Sequence, residues 1–181
     1  MTTTRTRLQE LLDYAFHRIA VYLGAREAHF VTFIQAGARI DGWLAVEAFY
    51  ALTRPAISQA MPGVRLAGPT QGQGPHEPDL LLPLGERSLT LSLKSLPLTA
   101  ERPLGFYFTS LGEVPAAFVR LTEKGPDSAL VLVAYPLRMD DPQWTETVAA
   151  AEKAHPVQCL KSLQFPLPGP QRVTLSLWRP L

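Results

Sequence analysis

Four side chains in this chain have the types and spacing for acid, base or metal chemistry. Two lie on a strand that alternates strictly: Ser88, Thr90, Ser92 and Lys94 face one way, and Leu89, Leu91 and Leu93 the other. A partner strand begins at Asp79 and turns back near Gly85, Glu86 and Arg87. A two-residue turn pairs positions that sum to 171 or 173 and sets Asp79 opposite Ser92 or Lys94. Opposed residues share a face, so Asp79, Ser92 and Lys94 converge at one end of the hairpin. A three-residue turn would break that alignment. The fourth is Glu47. Its helical neighbours at three and four residues are Trp43, Leu44, Tyr50 and Ala51, so the carboxylate falls on the packing stripe. Burying it alone costs several kcal/mol unless a metal, Lys94 or an arginine meets it.

The elements that must hold these groups are legible in part. Leu8, Leu11, Leu12, Ala15 and Ile19 mark an amphipathic helix over 4–23, closed by Gly24. The run 29–34 reads as a short strand. Asp41 starts a helix running to about 60, with Pro55 as a break. A short strand over 64–67 precedes a Gly-, Pro- and Gln-rich loop, 68–78, which matches no phosphate-binding pattern. Pro83 marks an edge or a bulge in the first hairpin strand. Phe106, Tyr107 and Phe108 read as a buried strand. Ser110 and Glu113 have capping-box spacing ahead of a helix whose apolar face is Val114, Ala117, Phe118 and Leu121. The nearly unbroken apolar run 129–135 predicts a strand covered on both faces. Asp140, Asp141 and Pro142 start a last helix to about 154, and two strands follow, 157–165 and 172–178. A hairpin followed by a helical crossover to a buried strand predicts an α/β fold, with a mixed sheet flanked by helices.

Pro78 and Asp79, followed by Ser92, Leu93 and Lys94, with Glu47 on the preceding helix, resemble the PD-(D/E)XK nuclease superfamily, the restriction-endonuclease-like fold. The order helix, strand, strand, strand, helix, strand over 41–136 agrees with that family. The helix before it and the helix and two strands over 137–181 are then additions within a single domain, 1–181. The resemblance implies metal-dependent hydrolysis of phosphodiesters in DNA or RNA. Asp79 and Glu47 would hold Mg²⁺ or Mn²⁺, and Lys94 would orient or activate the attacking water and offset developing charge. Mg²⁺ keeps several waters, so two carboxylates suffice. The sequence departs from the family at Ser92, where the family has its second acid. Some members carry that acid on a nearby helix, a place Glu47 or Glu113 could fill. Ser92 also fits a catalytically inactive module of the same fold, acting in nucleic-acid binding or protein assembly.

Composition sets outer bounds. The 181 residues are 46% hydrophobic and 18% charged, enough for a packed core. The net charge of +1 is spread evenly along the chain, so charge alone does not point to nucleic acid. Arg39, Arg54, Arg65 and Arg87 are the arginines that could gather near the hairpin. A single cysteine, Cys159, excludes an internal disulfide and a Cys-rich zinc site. No apolar run is long enough to span a bilayer, and the N-terminal stretch, interrupted by Glu10 and Asp13, does not read as a signal peptide; the expected location is cytoplasmic. His76 and Glu77 stand beside Asp79 without a second nearby histidine. In an unrelated α/β fold, the C-terminal strands could pair across a homodimer.

Overall fold

A computed structural model describes residues 2–54, 61–66, 79–110, 112–138 and 142–181; of residues 2–6 and 79 it describes the backbone alone. The expected loop 68–78 with His76 and Glu77, the stretch around Pro55 to position 60, and Asp140 and Asp141 lie outside the described residues.

Helix α1 (Thr2–Gly24) buries Leu8, Leu12, Ala15, Phe16, Ile19 and Leu23, a stripe at three- and four-residue spacing. The run 29–34 is not a strand. It lies in helix α2 (Glu27–Ala36), which buries Phe30 and packs Phe33 and Ile34 against the same core. Period alone does not separate a short apolar strand from a buried helical turn, and the three- and four-residue spacing decided for the helix. Helix α3 (Asp41–Thr53) lays Leu44, Ala45, Ala48, Ala51 and Leu52 onto the sheet.

The sheet starts with β1 (Arg65–Leu66), β2 (Asp79–Leu84) and β3 (Arg87–Pro97), paired antiparallel. Leu84 pairs with Arg87, so the turn is Gly85 and Glu86, with Gly85 at φ 62, a left-handed conformation that favours glycine. β1 pairs with Leu80 and Leu81, so Pro83 lies beyond the paired stretch of that edge of β2, beside Gly63, where no ladder N–H is called for. The chain then crosses over through α4 (Leu104–Phe108) and α5 (Glu113–Lys124) to β4 (Ser128–Arg138), parallel to β3. The expected strand at 106–108 is the helical turn α4: Tyr107 is buried and its hydroxyl donates to Pro97 O, while Phe106 is about half exposed. Helix α6 (Gln143–Ala154) and strands β5 (Val157–Pro166) and β6 (Gln171–Pro180) complete a six-stranded mixed sheet in the order β1-β2-β3-β4-β6-β5. The fold is therefore mixed α/β, with helices on both faces of one sheet.

Strand alternation divides that sheet into two cores. Leu89, Leu91 and Leu93 of β3, Val131 and Val133 of β4, and Leu175 and Leu177 of β6 pack with α1, α2 and α3. Leu96, Leu130, Leu132 and Trp178 face the other way, toward α4, α5 and α6. Each large apolar side chain buried in this way stabilises the fold by roughly 1.5–3 kcal/mol. Among the described residues, no helix is long and apolar enough to cross a membrane.

Candidate active site

The hairpin register pairs Asp79 with Ser92, the alignment that a two-residue turn requires. Ser92 and Lys94 point to the face covered by α5, and the backbone of Asp79 lies opposite Ser92 on that face. Lys94 is buried, its side chain 4% exposed, and its ammonium lies 3.1 Å from Oε2 of Glu113. A buried lysine needs a partner, since the ammonium gives up its hydration. The helix after the crossover supplies that partner.

Glu113 reaches Lys94 because the chain folds back sharply between α4 and α5. A Cβ at Gly112 would sit 2.4 Å from the Tyr107 carbonyl oxygen and 2.9 Å from that of Thr109. Only glycine permits that approach, and it sets Glu113 at the first turn of α5. The capping box expected of Ser110 and Glu113 does not form. The helix is capped by Gly112 with no side-chain bond, and Glu113 instead engages two cations. Charge-assisted bonds are stronger than a bond to a neutral backbone amide.

The second of those cations is Arg39. Its guanidinium lies 2.7 Å from Glu113 Oε2 and 2.9 Å from Asp41 Oδ2. Asp41 in turn accepts from the backbone N–H and the hydroxyl of Ser95, the hydroxyl at 2.6 Å. Arg39 thus joins the first turn of α3 on one face of the sheet to the first turn of α5 on the other. Burial pushes the Glu113 carboxyl up, but the bonds and charge of Lys94 and Arg39 outweigh it and hold the group below its ordinary value. Burial also disfavours charged Arg39, and Asp41 and Glu113 overcome it, so the guanidinium is held above its ordinary value. On the same face, Lys124 donates to Ser92 Oγ at 3.1 Å.

Glu47 does not join this group. Sequence spacing correctly places it off the fully solvated side of its helix, but α3 packs on the face opposite Ser92 and Lys94. Its carboxylate accepts from Arg26 Nε at 3.1 Å, and Arg26 also donates to the Tyr22 hydroxyl and lies over the Tyr22 ring. The arginine solution to its burial, rather than metal or Lys94, is the one realised. The hydrogen bond to Glu47 first, and the charges nearby, raise Arg26 despite a desolvation cost. Of the four arginines considered for the hairpin, Arg39 enters the Lys94 cluster, and Arg87 pairs with Asp127 at 2.7 Å. Cys159 is half-buried; burial, with Glu152 nearby, pushes its thiol up to about 12, which suits a packing role.

Sequence reasoning thus reached Ser92, Lys94 and, as one possible helical acid, Glu113, and the backbone register of Asp79 opposite Ser92. It missed Asp41, Ser95 and Lys124 as members of the group and named Arg39 only as a candidate neighbour. The signal for Arg39 and Asp41 was weak: two opposite charges beside a helix start. Among the described side chains, no three His, Cys, Asp or Glu residues gather as a metal site. Comparison with protein-family models, curated proteins and solved structures finds no match to this chain.

Proposed function

We propose that this protein is a metal-dependent nuclease of the PD-(D/E)XK type, with Glu113 rather than Glu47 as the helical acid. One observation carries the reading: a buried Lys94 ammonium, 3.1 Å from Glu113, on the face where the hairpin register sets Asp79 against Ser92. A lysine buried for packing alone would be a poor choice of side chain. A lysine held beside an acid, in the row of a second acid, suits phosphoryl chemistry.

The donor set fits a hard divalent cation. Asp79 and Glu113 offer carboxylate oxygens and Ser92 a hydroxyl, the ligand type Mg²⁺ and Mn²⁺ take. Glu113 is 38% exposed, which leaves room for a hydrated ion beside it. Bound there, such an ion would supply Lewis-acid polarisation of a phosphoryl oxygen and an acidified water. Lys94 donates a hydrogen bond that orients the attacking water and offsets charge growing on the phosphoryl oxygens. The water oxygen bonds to phosphorus as the P–O bond to the leaving sugar oxygen breaks. The water's proton passes to solvent, and the leaving oxygen takes one from solvent. Arg39 positions Glu113 by pairing with the carboxylate that Lys94 also meets.

A second reading is the catalytically inactive module of the same fold, binding nucleic acid or completing a protein assembly, including one with a second copy of itself. The favouring observation is that Arg39 and Lys94 already neutralise Glu113 within the protein.

Incubation of purified protein with DNA and with RNA, in Mg²⁺ or Mn²⁺, separates the two. Expected is cleavage that stops with chelator and falls about 100-fold or more in Lys94→Ala and in Asp79→Ala. If neither nucleic acid is cut in either metal, the nuclease reading fails. The inactive reading then predicts that Ser92→Glu gains Mn²⁺ binding that the wild type lacks.

A further inference from the structure

We infer that Asp41 is a positioning residue of this site: by taking one end of the Arg39 guanidinium, it keeps Glu113 aligned and still able to bind a cation. The inference rests on the reading of Glu113 as a metal ligand given above. An acid in the first turn of α3 has a simple explanation, since the amide end of a helix favours negative charge. That explanation does not account for what its two oxygens do. Oδ1 accepts from the backbone N–H and the hydroxyl of Ser95, and Oδ2 lies 2.9 Å from Nη2 of Arg39. β2 starts at Asp79, opposite Ser92, so among the described residues β3 runs on from Leu93 without that neighbour. Asp41 takes the Ser95 N–H there, one residue from Lys94.

The backbone on both sides of Arg39 is pinned from the sheet. The carbonyl of Ala38 accepts from the Tyr135 hydroxyl of β4 at 2.7 Å, and the N–H of Ile40 donates to Ser95 Oγ of β3 at 3.1 Å. Tyr135 and Ser95 are both fully buried. An ordinary surface ion pair needs no such mounting, because it tolerates movement and contributes little. Here the mounting sets which nitrogen meets which acid. Nη1 faces Glu113, 2.9 Å from Oε1 and 2.7 Å from Oε2, and Nη2 faces Asp41. A guanidinium can instead give two parallel N–H bonds to a single carboxylate, the stronger form of the pair. Asp41 holds Nη2 away from that form. Glu113 is then aligned through one nitrogen, and its partly exposed side chain is open to a cation arriving from solvent. Without the Asp41 charge, Arg39 would close on Glu113 with both nitrogens and compete with the ion.

Mn²⁺ titration by calorimetry and steady-state DNA cleavage, run on wild type, Asp41→Asn, Arg39→Gln and the double variant, test this. Asp41→Asn should weaken Mn²⁺ binding by about 10–100-fold, the usual effect of removing a group that orients a ligand. Adding Arg39→Gln to Asp41→Asn should recover most of that affinity, while kcat stays low because Glu113 is no longer aligned. Recovery of this kind sets the role apart from a structural one, in which the second substitution adds to the damage. Asp41→Ser, also well suited to a helix start, should show the same loss and the same recovery, so the result does not hang on how one replacement folds. If wild type binds Mn²⁺ and cuts, but Asp41→Asn and Asp41→Ser bind Mn²⁺ as wild type does, the role of Asp41 is overturned while the nuclease reading stands. A double variant that binds more weakly than Asp41→Asn overturns it equally. A wild type that neither binds Mn²⁺ nor cuts DNA or RNA overturns both.

Discussion

The two faces of the sheet are made from the same strands yet bury different chemistry. Toward α1, α2 and α3, the central strands present Leu89, Leu91, Leu93, Val131, Val133, Val173, Leu175 and Leu177. Toward α4, α5 and α6, buried Ser92 and Lys94 on β3, Ser128 on β4, and Arg172, Thr174 and Ser176 on β6 break the apolar surface. The exceptions on the first side are few: Ser95 at the end of β3, bonded to Asp41 and to the backbone N–H of Ile40, and Arg18 on α1. One face therefore supplies stability. The other accepts desolvation costs that a purely structural layer would avoid, and it is the face that carries Lys94. On the α3 side, the Glu47 carboxylate is satisfied locally by an arginine.

This contrast can be broken most directly at adjacent residues of β3. Leu93→Ala opens a cavity in the apolar layer and should cost about 2–5 kcal/mol in denaturant unfolding. Lys94→Met at the next position should cost about 1 kcal/mol or less, because Glu113 is partly exposed and keeps Arg39, while cleavage is lost. Equal stability losses at 93 and 94 would erase the distinction between the faces.

Gly112→Ala comes next. The added methyl must displace backbone, and overpacking of this kind costs about 1–3 kcal/mol. Because Gly112 sets the start of α5, the variant should also lose cleavage or Mn²⁺ affinity beyond its stability loss. Thermal unfolding measured beside metal binding separates the two effects.

Glu47→Gln should cost under about 1 kcal/mol, as expected of a partly exposed ion pair, and should leave Mn²⁺ affinity unchanged. A large loss of Mn²⁺ binding in this variant would return Glu47 to the site.

The smallest effect is in pH. The Glu113 carboxyl titrates below its ordinary value when folded, so its ion pairs stabilise the protein fully above the unfolded value, about 4.3, and that contribution fades as pH falls through the folded value. The stability difference between wild type and Glu113→Gln should therefore be constant near neutrality and shrink in acid below about pH 4. A difference that grew on acidification would contradict the ion pairing.

Much of this architecture was legible from local pattern. The hairpin and the common face of Ser92 and Lys94 followed from alternation, while its register stayed open until the turn proved to be Gly85 and Glu86. The buried strand at 129–135 followed from its unbroken apolar run. The misreadings were of short segments. The runs at 29–34 and 106–108 are too brief for period to discriminate helix from strand, and packing decided both. The site was legible where it depended on a single hairpin and not where it depended on which helix covers which face. Glu47 and Glu113 were both acids near helical packing surfaces, and nothing local ranks one above the other.

Alternation along a strand is a property of neighbouring residues, so the order of side chains alone determined that Ser92 and Lys94 share one side of a hairpin; the turn length, set in the folded chain, put the Asp79 position opposite Ser92. Which acid meets Lys94 is a matter of layers. The crossover between β3 and β4 carries α5 to the same face as Lys94, and the close approach at Gly112 aims Glu113 at it, while α3 carries Glu47 to the opposite face and to Arg26. A carboxylate takes the nearest cation it can reach through packed protein, and that distance is set only when the helices close over the sheet.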